Sequence, residues 1–218
     1  MIATTPLTEE AHDLESVWTA FLWIAVGFGG LVAALLLFVV IRYRRRDDTL
    51  PRQTREHIRL EVGYTIVPLL VVAGLFAITL GAIRAVDRVD AAEAPDLVVE
   101  VTGFQWQWQF DYPTAGVRVV GSDSVVPELV LPAESTVRFE MTSLDVIHSF
   151  WIPGFRFKRD VFPGETTEFE VDVANEIGRW ETGVCAEFCG LDHHAMRFDV
   201  RIMPAAEFDA WLAEQESS

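Results

Sequence analysis

Two thiols, an imidazole and a thioether fall within twelve residues, Cys185-Ala-Glu-Phe-Cys189-Gly-Leu-Asp-His193-His-Ala-Met196. Such soft and borderline donors select copper, zinc or iron–sulfur over magnesium or calcium. The chain has no other cysteine. A bare C-x3-C pair is equally compatible with a disulfide or with a redox or chaperone pair. A disulfide, however, needs neither the His four residues beyond the second cysteine nor the Met seven beyond it. A metal site needs a further ligand from elsewhere, and His148, at the end of the strand begun by Thr136, is the best candidate. His12 falls in the N-terminal tail and His57 in a basic connector, so neither is expected to reach the loop. Zinc held by Cys2His2 fits the donors but leaves Met196 without a role. A mononuclear copper site of the His2Cys type with a weak Met needs one thiolate fewer. Two thiolates, two imidazoles and a Met suit two copper ions bridged by two sulfurs, a rigid pair that changes little on redox.

A tight loop between two strands, backed by a rigid scaffold, is what presents several ligands to one point. Period-2 alternation supplies that scaffold from residue 97 onward. Strands are predicted at 97–102, 105–110, 125–131, 136–141, 166–173, 178–184 and 196–202, and Thr167-Glu-Phe-Glu-Val-Asp-Val173 alternates without a break. Turn signals at Tyr112-Pro113, Leu131-Pro132, Pro153-Gly154, Pro163-Gly164 and 175–178 separate them. Seven or eight short strands in this length imply an all-β sandwich or barrel. Residues 204–215 read as one short closing helix with Phe208 and Trp211 on its apolar face.

The N-terminal part is of another kind. Val17 to Ile41 is 25 residues without a charge, and Val62 to Ile83 is 22 more. As helices they span about 37 and about 33 Å, enough for a hydrocarbon core of about 30 Å. Pro68 costs the second only a local kink. Arg42, Arg44, Arg45, Arg46, Arg52, Arg55 and Arg59 lie in the connector 42–60, opposed only by Asp47, Asp48 and Glu56, whereas the tail 1–16 has acids and no Lys or Arg. The positive-inside rule therefore expects a cytoplasmic connector, with the N-terminus and the large C-terminal part outside. No cleavable signal peptide is expected, because the first apolar run is too long and too far from a basic n-region. The expected organisation is an extracytoplasmic tail (1–16), a transmembrane helical hairpin (17–90), a linker (91–96) and an outer domain (97–218). From Ala85 onward there are 25 Asp and Glu against 9 Lys and Arg, which accounts for the whole net charge of −16. An acidic outer domain repels nucleic acid and attracts basic partners; such acidity also accompanies adaptation to salt.

With these residues in place, the chain resembles subunit II of the haem–copper oxidases, in the cytochrome c oxidase branch with a dinuclear CuA centre. The resemblance covers nearly the whole chain and rests on C-x-E-x-C-x3-H-x2-M with an upstream D-x-x-H. It implies a cupredoxin-like outer domain in which Cys185 and Cys189 bridge two coppers. His148 and His193 would be the terminal imidazoles, the spacing favouring His193 over its neighbour His194. Met196 and the carbonyl of Glu187 would be the weak ligands, and the Glu187 carboxylate would reach a Mg²⁺ shared with subunit I. Gly103-Phe-Gln-Trp106-Gln-Trp108 matches the family's aromatic segment, which puts Trp106 where electrons arrive from a c-type cytochrome. Glu61, seven residues before Pro68, matches a glutamate at the mouth of a proton path into subunit I, although a carboxylate at a helix start also favours the dipole. Lys158, Asp160, Pro163 and Gly164 match a stretch facing subunit I.

The resemblance thus implies a prokaryotic plasma-membrane protein with two spans, partnered by the bilayer, subunit I, further oxidase subunits and a c-type cytochrome. Oxygen reduction and proton translocation would occur in subunit I. The chain departs from the family in one respect. Its aromatic segment continues as Gln109-Phe-Asp111-Tyr-Pro-Thr114, with one acid where several often dock basic cytochrome c. That leaves room for a membrane-tethered donor or one of different charge. No C-x2-C-H occurs, so no c-type haem of its own is expected. Two alternatives stand beside this reading. One is a nitric oxide reductase carrying the same copper pair; the other is a membrane-anchored copper chaperone, whose thioredoxin-like fold would alternate strand and helix. A quinol-oxidising relative would lack the copper ligands.

Overall fold

The computed structural model describes residues 5–46, 53–87, 89, 94–122 and 124–216. Asp47, Asp48 and Arg52 of the connector, and residues 91–93 of the linker, lie outside them. The chain divides into two compact units: residues 15–83, and residues 1–14 together with 84–218.

The first unit carries most of two long helices, α1 (Glu9–Arg42) and α2 (Ile58–Val86), each with an apolar run long enough to cross a bilayer. Their Leu, Val, Ile and Phe side chains are exposed on all sides, as on Leu36, Phe38, Leu70 and Phe76. A helix apolar all round suits lipid, where its backbone groups are satisfied internally. The span α1 starts earlier than the uncharged run. Residues 9–16, expected as tail, are helical because the Thr8 hydroxyl accepts the Ala11 N–H at 3.2 Å and Glu9 and Glu10 occupy the first turn.

Ten strands build the second unit: β1 (Leu97–Phe104), β2 (Gln107–Tyr112), β3 (Val117–Val120), β4 (Glu128–Pro132), β5 (Ser135–Ser143), β6 (His148–Trp151), β7 (Lys158–Val161), β8 (Thr167–Val173), β9 (Gly178–Cys185) and β10 (Arg197–Met203). They form two five-stranded sheets, β3-β2-β1-β5-β8 and β4-β10-β9-β6-β7. β1 pairs parallel with β5 and β10 parallel with β4, while the other pairs are antiparallel. The short helix α3 (Ala205–Glu216) buries Phe208. This is the expected sandwich, and it excludes the thioredoxin-like alternative.

Alternation puts one face of each sheet inward, as in β5, where every second residue from Val137 is buried. The inner faces meet through aromatic rings, with Phe150 stacked on Phe198 at 4.9 Å and Trp108 edge-on to both. Tyr112 ties the sheets together: its hydroxyl donates to the Val130 carbonyl and accepts the Val130 N–H, both at 2.9 Å. Burial holds that phenol protonated, far above its ordinary pKa.

Strands β3, β6 and β7 were not expected; four residues each is too short for alternation to register. The largest correction concerns His148. It does not end the strand begun by Thr136. That strand, β5, stops at Ser143, and His148 opens β6 in the opposite sheet. Ser143 and Asp145 turn the chain between them. The Ser143 hydroxyl accepts the Asp145 N–H at 3.2 Å and donates to the Val146 carbonyl, and the Asp145 carboxylate accepts the Val146 N–H at 2.6 Å.

Candidate metal centre

β6 pairs with β9, bringing Phe150 opposite Cys185, so His148 and the last residue of β9 lie at one end of one sheet. The Cys185 N–H bonds to the Met196 carbonyl at 3.0 Å, and the Ala186 N–H to the Ser149 carbonyl at 2.9 Å. These close residues 186–195 into a loop that carries Cys189 and a single turn of 3₁₀ helix, His193–Ala195.

The donors form a row. His148 Nδ1 is 3.8 Å from Cys185 Sγ, the two sulfurs are 3.8 Å apart, and Cys189 Sγ is 3.6 Å from His193 Nδ1. Two weaker donors flank it. The Glu187 carbonyl oxygen lies 3.3 Å from Cys185 Sγ, and Met196 Sδ lies 3.8 Å from Cys189 Sγ. Both cysteines are free thiols, at a separation no disulfide has. His148, Cys185 and Cys189 present donor atoms all within 4.8 Å of one another, and all three are buried.

The electrostatics call for positive charge. Burial raises the Cys185 pKa, but hydrogen bonding to the His148 imidazole and nearby backbone overrides it, so this thiol ionises well below the ordinary range. Burial and then the neighbouring Cys185 charge push Cys189 the other way, up to about 12. One thiolate forms readily and the second resists, as expected of two like charges in contact; a bound cation would remove that resistance. Burial also disfavours charge on His148, yet Cys185 and Asp145 together raise its pKa. Asp145 Oδ1 lies 2.9 Å from His148 Nε2. The tautomer assigned from this contact carries its proton on Nε2 and turns Nδ1 to the sulfur, the usual support for a metal-binding imidazole.

The aromatic segment sits against the same loop. The Trp106 indole N–H donates to the Cys189 carbonyl at 3.2 Å, and the Gln105 side-chain amide donates to the same oxygen at 2.6 Å. The Gln105 backbone N–H is held by Asp145 at 2.7 Å, so one carboxylate joins this segment to His148. Gly190, with φ of +124°, allows the approach: a Cβ there would lie 3.0 Å from Gln105 Nε2 and 3.1 Å from Trp106 Cζ2.

The remaining expected residues fall as follows. The Glu187 carboxylate is half-exposed and 3.9 Å from Lys158 Nζ. Lys158 and Asp160 lie on β7, where Asp160 opposes Ser149 beside His148; Pro163 bridges to Ser143. His194 is exposed and contributes no donor to the row. Glu61 lies in the other unit, where its carboxylate accepts the His57 N–H at 3.0 Å, a helix-start contact. Sequence reasoning missed the roles of Asp145, Gln105 and Gly190. Only Asp145 carries a signal in the sequence, the D-x-x-H spacing to His148.

The donor set fits a soft metal. The two thiols and two imidazoles, with a thioether and a carbonyl oxygen beside them, are the residues that would hold it.

The chain is similar to known proteins over both of its parts. The family model described as "Cytochrome C oxidase subunit II, periplasmic domain" matches residues 114–203, and that described as "Cytochrome C oxidase subunit II, transmembrane domain" matches residues 2–81. A probable cytochrome c oxidase subunit 2 of Streptomyces avermitilis is 35% identical over 96% of this chain and 77% of its own length. The cytochrome c oxidase subunit 2 of Mycobacterium tuberculosis is 28% identical over 96% and 73%. Among solved structures, the periplasmic domain of subunit II of cytochrome oxidase from Bradyrhizobium japonicum is 30% identical, covering 57% of this chain and 96% of its own, with a TM-score of 0.52. A subunit II captured in a mixed disulfide with a thioredoxin-like protein is 29% identical, covering 60% and 96%, with a TM-score of 0.51.

Proposed function

The chain belongs to the cytochrome c oxidase subunit II family, and from that premise we propose that it is the subunit through which electrons reach the oxidase. Its membrane helices anchor it; the proposed location is a prokaryotic plasma membrane, with the N-terminus and β-domain on the outer side. A c-type cytochrome delivers electrons beside Trp106, and subunit I receives them for oxygen reduction coupled to proton translocation.

His148, Cys185, Cys189, His193, Met196 and the Glu187 carbonyl would hold two coppers. A copper pair bound there would supply a one-electron store that needs little reorganisation. The observation that carries this reading is the row imidazole–sulfur–sulfur–imidazole with a weak oxygen and a weak thioether beside it. The chain's own residues do the rest. Asp145 orients His148, while Trp106 and Gln105 grip the Cys189 carbonyl and keep the donor-facing ring against a ligand-bearing residue. The apolar sandwich below keeps water out and the geometry rigid. The half-exposed Glu187 carboxylate is the proposed ligand of a Mg²⁺ shared with subunit I, with Lys158 beside it. Glu61 is the proposed mouth of a proton path, a role it would combine with its helix-start contact.

Metal analysis with EPR tests the reading. About two coppers per chain and a signal shared between two nuclei are expected, with Cys185→Ser abolishing that signal. One copper, zinc, or a signal that survives the substitution would refute it. Trp106→Phe should slow electron uptake without copper loss; an unchanged rate with the native donor would move the contact elsewhere.

A further inference from the structure

His148 is carried by a weakly paired part of its sheet. β6 meets β9 through two residue pairs, Phe150 with Cys185 and Trp151 with Val184, whereas β1 meets β5 through seven. Its other neighbour, β7, pairs with it over four residues and forms the edge of the sheet. A hairpin attached in this way opens more readily than a central strand. Ile152 and Phe155, both buried, pin its connecting turn to the core. Two segments from beside the membrane helices grip the same hairpin. Just before α1, Leu7 is buried and its N–H donates to the Gly154 carbonyl at 2.9 Å. The fit is close: a Cβ on Gly154 would lie 2.5 Å from Leu7 Cγ and 3.2 Å from the Thr5 carbonyl oxygen. This segment is also fixed to the edge strand β8, where Thr8 bridges Val173, and the Ala174 N–H donates to the Leu7 carbonyl at 3.0 Å. Just after α2, Asp87 pairs with Arg159 of β7 at 2.7 Å. Arg159 lies over the Phe169 ring at 5.9 Å and opposes Phe150, two residues from His148.

We propose that residues 5–8 and Asp87 form a two-point clamp on the β6–β7 hairpin, which makes Leu7, Asp87 and Arg159 positioning residues for the His148 imidazole. The residues that adjoin the membrane helices then do more than continue the chain: they complete the mount of one end of the donor row. This rests on the reading of His148 as a copper ligand. The two points carry unequal weight. The side chains of Asp87 and Arg159 are 52% and 26% exposed, and a pair of that kind holds a local equilibrium by a factor of about two to five. Its loss loosens the hairpin without unfolding the domain. Leu7 is buried, so its truncation forfeits packing as well and acts more strongly.

Amide hydrogen exchange on the full copper-free chain in detergent tests the clamp. Asp87→Asn should speed exchange of the β6 and β7 amides by about two- to fivefold, with those of β1 and β2 unchanged. Asp87→Glu, which keeps the charge, should bring the rates back to those of the parent. Leu7→Ala should speed the β6 and β7 amides by about tenfold or more. In the copper-loaded chain, loss of copper to a chelator should quicken by about two- to fivefold in Asp87→Asn and recover in Asp87→Glu. Unchanged β6–β7 exchange in Asp87→Asn would overturn the proposal, as would an equal rise in β1 and β2 or copper loss at the parent rate. Asp87 is half-exposed, so its variants decide the matter even if Leu7→Ala misfolds. The two readings fail differently. A chain that holds zinc or one copper sinks the copper-pair reading and leaves the exchange result standing, whereas an intact copper pair with unaltered exchange sinks the clamp alone.

Discussion

Gly190→Ala tests the join between the aromatic segment and the metal loop. The residue sits at φ +124°, and an added Cβ meets Gln105 Nε2 at 3.0 Å, Trp106 Cζ2 at 3.1 Å and Trp106 Nε1 at 3.2 Å. A side chain in that backbone region costs about 1–3 kcal/mol. The two groups it crowds are those that donate to the Cys189 carbonyl, at 2.6 and 3.2 Å. Neither can retreat without lengthening its bond, and losing one bond's worth adds about 0.5–1.5 kcal/mol. The loss should therefore total about 2–4 kcal/mol, read as a fall of about 1–2 M in the urea midpoint at unchanged m. Because the shift falls on Trp106 and leaves the sulfurs in place, electron uptake from a cytochrome should slow while copper content holds. Indole fluorescence of the copper-free protein should also change. A stability loss under about 0.5 kcal/mol with unaltered fluorescence would show that the loop does not depend on this approach.

Tyr112→Phe should destabilise the β-domain by about 1–3 kcal/mol in chemical denaturation, because it strands a buried N–H and carbonyl of Val130. Leu7→Ala should cost about 2–4 kcal/mol by the same measurement: Leu7 is buried, its N–H bonds to the Gly154 carbonyl at 2.9 Å, and its carbonyl accepts from Ala174 at 3.0 Å. Asp145→Asn should weaken metal retention by about 10–100-fold in a chelator competition, with the fold intact by circular dichroism, since it loosens the hold on His148. Gly103→Ala should act on the same ring from the other side, its Cβ meeting His148 Cδ2 at 3.1 Å and Trp108 Cζ3 at 3.3 Å, so metal affinity should fall with little change in secondary structure.

Much of this protein is written in local patterns. An uncharged run long enough to span a bilayer is a property of consecutive residues, as is the alternation from Thr167 to Val173, and both translate directly into α1, α2 and β8. Cys185, Cys189, His193 and Met196 fall within twelve consecutive residues, so their spacing alone pointed to a soft metal. The fourth strong donor was different. His148 was identifiable as a residue but not as a position: whether it ended β5 or opened β6 depends on the Ser143 and Asp145 side chains turning the chain, and on which sheet β6 joins. Gln105 and Gly190 carried no signal, because the contact between them joins residues 85 apart in the chain and depends on a backbone angle that composition does not encode. Sequence alone determined the kinds of donor, the membrane helices and the strand-rich class. The tertiary structure decided that the sulfurs stand in a row between two imidazoles, that Asp145 serves His148, and that Trp106 rests on the Cys189 carbonyl. The first and last of these are meetings of distant segments, whereas the second spans three residues and needs the turn between β5 and β6 to form.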